Sequence, residues 1–168
     1  MKKILLLFTF IFTLIPLHAQ QNMKELFKSM PDSIIPLLTK NNRLDMIDFL
    51  EAKMRSVVTN KLDGETEMTA ISNDSITIKL TDVLQIEMFL LPAEEEYDSC
   101  KQVICVLSKY SLPSSAEKEN DVRREELVAR FYSVQWNPLQ NPSLQTPVKT
   151  YSTILSDDEK VFAKKPVY

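Results

Sequence analysis

Apolar and polar positions follow three different rhythms along this chain. From Ile4 to Leu17 apolar residues surround the axis with no polar face, with Lys2 and Lys3 before them and His18-Ala19-Gln20 after. A helical period follows. At 100° per residue Leu44, Ile47, Leu50, Met54, Val57 and Val58 fall on one side, and Asp45, Asp48, Ala52, Arg55 and Ser56 on the other. Phe49 lands among the polar set. Asn42 is placed to cap this helix, with Asp45 near the positive end of its dipole. Asp63-Gly64 then supplies a turn.

From Met68 the period drops to 2. Ser75 to Thr81 alternates cleanly behind Asn73-Asp74, which suits a tight hairpin. Leu84, Ile86, Met88 and Leu90 mark another strand, which Pro92 should end. Gln102 to Tyr110 is apolar on both faces, as a central strand would be. Leu127 to Val134 is a further strand candidate, although Arg123 to Arg130 could equally start as helix. Pro138, Pro142 and Pro147 make the stretch from Trp136 extended and irregular, and Ser156-Asp157-Asp158-Glu159 has capping-box spacing for a short last helix. The predicted fold is α+β: N-terminal helices on one face of an antiparallel meander of about five strands, with a short C-terminal helix.

The first rhythm changes what remains of the chain. A basic start, an apolar run and a small residue in that order form an export signal with a cut after Ala19. The run is shorter than the roughly 20 residues a bilayer crossing needs. No cysteine follows it to carry a lipid anchor. The expected product is one α+β domain, residues 20–168, in the periplasm or outside the cell, with no membrane insertion. Its charge is two units more negative than the −3 of the whole chain, because Lys2 and Lys3 leave with the signal. An acidic surface argues against nucleic acid as a partner.

Composition then closes most chemistry. The only histidine, His18, leaves with the signal, so the product lacks the usual catalytic triads and histidine zinc sites. One glycine, Gly64, cannot make a glycine-rich phosphate loop. No cofactor and no metal are expected. Cys100 and Cys105, placed on one strand, would stand roughly 16 Å apart, against the 7 Å or so that a disulfide allows, so two free thiols are expected. Asp157 to Glu159 suits a helix N-terminus better than a calcium site.

Two constellations remain. Asp45 and Asp48, three apart on a helix, are spaced for a carboxylate pair, although capping and a solvated face explain both. Phe131 and Tyr132 should point to opposite faces, one into the core and one presented. With Trp136 just beyond the strand, Tyr132 and Trp136 are the candidate platform for a sugar ring or a partner protein, with core packing as the competing fate.

The segment Met30-Pro31-Asp32-Ser33-Ile34-Ile35-Pro36-Leu37-Leu38-Thr39-Lys40-Asn41-Asn42-Arg43-Leu44-Asp45-Met46-Ile47-Asp48-Phe49, continued by Glu67-Met68-Thr69, Phe131-Tyr132 and Trp136-Asn137-Pro138-Leu139, resembles a family of small exported proteins from gut-type Gram-negative anaerobes. That family is catalogued as a domain of unknown function. The resemblance implies export and assigns no activity or site residues. The reading that follows is a non-enzymatic exported accessory protein that binds another envelope protein or a glycan. A carboxylate-dependent hydrolase using Asp45 and Asp48, and a structural envelope component, stand as alternatives.

Overall fold

The computed structural model describes residues 21–112 and 124–151 and the backbone of 162–163. The proposed leader, the 113–123 connection and the expected helix at Ser156 to Glu159 lie outside the described residues. Two helices come first, α1 (Met23–Ser29) and α2 (Lys40–Glu51). Seven antiparallel strands follow, each beside its neighbour in sequence: β1 (Ser56–Thr59), β2 (Glu65–Ile71), β3 (Ser75–Lys79), β4 (Leu84–Tyr97), β5 (Cys100–Leu112), β6 (Arg124–Ser133) and β7 (Pro138–Leu139). A two-residue β8 (Phe162–Ala163) joins β6 in parallel. The class is α+β, but the sheet exceeds the expected five strands.

The first extra strand comes from the predicted helix. α2 starts earlier than expected, at a capping box in which Thr39 Oγ1 accepts from the Asn42 amide at 3.1 Å and Asn42 Oδ1 from the Thr39 amide at 2.9 Å. It also ends earlier, at Glu51, and Lys53 turns the chain with φ 57°. Val57 and Val58 continue the apolar stripe on a helical wheel, but Ser56-Val57-Val58-Thr59 is rich in β-branched residues that favour a strand. β1 pairs with β2 from Ser56↔Met68 to Thr59↔Glu65.

Pro92 does not end β4, which runs on to Tyr97. β3 pairs only as far as Ser75↔Phe89, so beyond it Pro92 faces no β3 amide partner and its missing N–H costs no ladder bond. The register between Pro92↔Gln102 and Tyr97↔Cys100 slips, and this bulge swings Ala93 and Glu94 onto a different partner, residues 143–145. Asp98 and Ser99, with φ of 51° and 61°, then close the β4–β5 hairpin as a primed turn.

Each sheet face carries a buried core, the second one over β4 to β6. Against the first pack α1 and α2, with Met23, Phe27, Met30, Met46 and Ile47 meeting Met68, Ile78, Met88 and Ile104. Phe89, Leu91, Cys105, Leu107 and Leu127 point the other way, under Leu139, Leu144, Val148 and Tyr151 from the proline-rich segment. That segment crosses the second face as a strap, bridged at Ala93↔Leu144 and tied by Glu94 N–H to Ser143 O at 2.9 Å. Double coverage explains why β5 is apolar on both sides.

Candidate functional site

Tyr132 and Trp136 are brought together, their ring centroids 5.8 Å apart at 53°. Trp136 keeps 6% of its surface and belongs to the first core, and its indole N–H donates to Leu26 O at 3.1 Å. The local turn aims it inward: Ser133 Oγ accepts from the Gln135 and Asn137 amides, the Trp136 N–H returns to Ser133 O at 2.9 Å, and Trp136 takes φ 67°. Tyr132 packs half-buried on the same core, and burial pushes its hydroxyl pKa upward. Phe131 is half-buried against the second core. Neither ring of this pair is freely presented, because each face of the sheet has its own cover.

Asp45 and Asp48 sit exposed on the outer side of α2, away from Met46 and Ile47, and neither carboxylate takes a hydrogen bond among the described residues. The aromatic pair packs on the first core, whereas these two acids face outward. Cys100 and Cys105 are unbonded on β5. Burial raises the Cys105 thiol to about 12, with the Glu87 carboxylate adding to the effect. Among the described residues no group of three acids, histidines or cysteines is placed to hold a metal ion, and no helix is long and apolar enough to cross a membrane.

A different place carries the features of a contact surface. In a meander the β1–β2 and β3–β4 turns lie at one end of the sheet, and both present an aliphatic side chain. Leu62 is 74% exposed and Val83 49% exposed. Both turns are braced from within. Buried Asn60 accepts the Leu62 and Gly64 amides on Oδ1, at 2.9 and 3.2 Å. Its Nδ2 donates to Thr66 Oγ1 at 3.1 Å, and that hydroxyl donates to Leu80 O at 2.8 Å. Leu80 opens the second turn, where Thr81 Oγ1 accepts from Val83 N–H at 3.2 Å and Ser111 N–H donates to Val83 O at 2.8 Å. A chain of hydrogen bonds, buried from Asn60 through Thr66 to Leu80, therefore links the two turns. Gly64 makes room for this relay, since a Cβ there would come within 3.2 Å of Asn60 Nδ2.

Sequence reading passes over Leu62 and Val83 because single aliphatic residues in turns break no pattern. The usable signal was Asn60-Lys61-Leu62-Asp63-Gly64, a polar turn with one leucine at its tip. Arg43 and Glu87, charged but 1% exposed, were equally invisible. Arg43 holds α1 through Nε to Phe27 O at 3.1 Å and a further bond to Met30 O, and it pairs with Asp32 at 2.7 Å.

The arrangement defines a class: a helix-backed antiparallel meander with a strap over its other face. The chain matches, over residues 15–165, the model of a protein family of unknown function, DUF3256, and belongs to that family. Its fold is similar to the structure of a domain of an uncharacterised protein from Porphyromonas gingivalis W83, with a TM-score of 0.50 and 22% identity. That likeness covers 71% of this chain and 54% of the other, so the chain spans about half of that structure's length. No curated protein matches the chain.

Proposed function

We propose that this is a non-catalytic exported domain that binds another envelope protein through the tips at Leu62 and Val83. The carrying observation is the buried Asn60–Thr66–Leu80 relay, which links the two turns that carry exposed aliphatic side chains. Ordering a contact surface in advance removes part of the entropic cost of association. Aliphatic tips suit a protein surface better than a glycan, which would draw on open aromatic faces of the kind that Trp136 does not offer. Export through the leader ending at Ala19 is part of the same reading, motivated by the order of charges and apolar residues. Asp45 and Asp48 lie exposed on the outer side of α2, which gives the hydrolase alternative no cleft around them.

The test is recovery of bound envelope protein on the full processed chain and on three variants of it. Leu62→Asp with Val83→Asp should lose the bound protein at an unchanged melting temperature, since both residues are exposed. Met54→Asp, at an exposed apolar position on the α2–β1 connection, should retain it, as should Asp45→Asn with Asp48→Asn. Loss with all three variants would deny the tips any special role.

A further inference from the structure

The two turns that carry Leu62 and Val83 are also charged in a complementary way. In the β1–β2 turn the exposed cation Lys61 precedes Leu62 and the exposed anion Asp63 follows it. In the β3–β4 turn the exposed anion Asp82 precedes Val83, and Lys79 at the end of β3 lies 3.0 Å from it. Lys61 and Asp63 form no ion pair among the described residues, although Lys61 adds to the Arg43 guanidinium in holding the Asp32 carboxyl low. Glu65, first in β2, adds to Glu67 in raising the Arg55 pKa and so lies near a cation of its own sheet. Each turn thus offers one aliphatic side chain, one cation and one anion.

Two strand spacings, about 10 Å, separate the turns along the end of the sheet. A two-fold axis parallel to the strands and midway between the turns exchanges their places. Leu62 of one copy then meets Val83 of the other, and Val83 meets Leu62. The same rotation brings Lys61 within reach of Asp82 and Asp63 within reach of Lys79, each of them twice. That is the self-complementarity an isologous dimer requires. The exposed Lys79–Asp82 pair contributes little within one copy, so sharing it across the axis costs little. Elsewhere an acidic chain, −3 overall, repels a second copy of itself. We propose that the two turns pair two copies of this chain end to end, covering Leu62 and Val83 until another partner displaces the second copy; this rests on the reading of the tips as a contact surface. Two short turns fall far below the roughly 20–30 residues a side of a stable interface, so the pairing is weak and reversible.

Sedimentation equilibrium reads the pairing, on protein recovered from its own envelope, purified free of bound protein and run over a range of concentrations. A monomer–dimer equilibrium is expected. Lys61→Glu and Asp82→Lys should each weaken it about tenfold or more, because the two-fold counts each change twice. The two reversals together should restore it. Melting temperature should stay that of the parent in all three, since both positions are exposed. A monomer at every concentration overturns the pairing and leaves the separate envelope partner to its own recovery test. A dimer that both single reversals leave intact, or that the double reversal fails to restore, overturns it as well. Loss of the dimer in Leu62→Asp with Val83→Asp, while that variant still recovers its envelope protein, keeps the pairing and overturns the reading of the tips as the site for that protein.

Discussion

The indole N–H of Trp136 donates to the carbonyl oxygen of Leu26 at 3.1 Å, joining residues 110 positions apart. Leu26 O lies in the last turn of α1 and also accepts from Ser29 Oγ at 3.0 Å. With the Arg43 bonds to Phe27 O and Met30 O, side chains from β6's end and from α2 satisfy carbonyls that the C-terminus of α1 leaves open. Trp136 thus acts here as a clamp on α1.

Removing that clamp should be costly. Trp136→Ala is expected to lower unfolding free energy by about 3–5 kcal/mol, the usual range for a buried tryptophan. Trp136→Phe keeps most of the ring but loses the donor, for about 1 kcal/mol. Denaturant titration of both variants gives the comparison, and near-equal losses would mean that the hydrogen bond, lost in both, outweighs the packing of the ring.

The face of α2 gives a second test. Ile47 is fully buried and Asp48, its neighbour, is exposed. Ile47→Asp should cost several kcal/mol by leaving a charge in the first core, whereas Asp48→Ala should change stability by less than about 0.5 kcal/mol. Thermal melts of the pair settle it. A large effect at Asp48 would point to a role beyond solvation.

Acid should weaken the α1–α2 junction through Asp32. The Arg43 hydrogen bond holds the Asp32 carboxyl below its ordinary range. A depressed folded pKa means that the pair's contribution is complete above the unfolded value of about 3.9 and is lost as pH falls through the lower folded one. Glu51 and Glu67 shift the same way, held by Lys24 and Arg55. Melting temperature plotted against pH should therefore fall less steeply below about pH 4 in Asp32→Asn than in the parent. Parallel curves would show that the pair contributes no linkage.

The two thiols should separate by accessibility. Cys105 is fully buried with its pKa raised to about 12, while Cys100 sits half-exposed at the hairpin. A thiol reagent is expected to modify Cys100 in the folded protein and Cys105 only after unfolding. Fast labelling of both without denaturant would mean that the strap opens readily.

β3, β5 and the pairing half of β4 were legible because alternation and double-sided apolarity survive translation into any antiparallel sheet. β1 was not, since Val57 and Val58 happen to continue the phase of α2, and periodicity alone cannot see that the helix turns off at Lys53. Pro92 misled for a related reason: whether a proline ends a strand depends on how far the neighbouring strand reaches, and β3 stops short of it. The fate of Trp136 turned on a bond to a helix far away in the chain. Arg43 needed the same kind of distant knowledge, because a buried guanidinium is tolerable only where carbonyls from another helix converge on it. The braced tips at Leu62 and Val83 depend on Asn60 and Thr66 finding Leu80, which no local window contains.

The bond between Leu26 and Trp136 also sets a clock on synthesis. A ribosome releases α1 early and Trp136 near the end. At about 5–20 residues per second, the 110 positions between the two residues keep Met23, Leu26 and Phe27 without their clamp for several seconds. Throughout that interval α2 and strands β1 to β5 emerge and can cover the buried side of the helix, so the bond from Trp136 closes last, and contacts so distant in sequence slow folding. The first helix and the end of β6 are therefore joined only after every strand between them has been made.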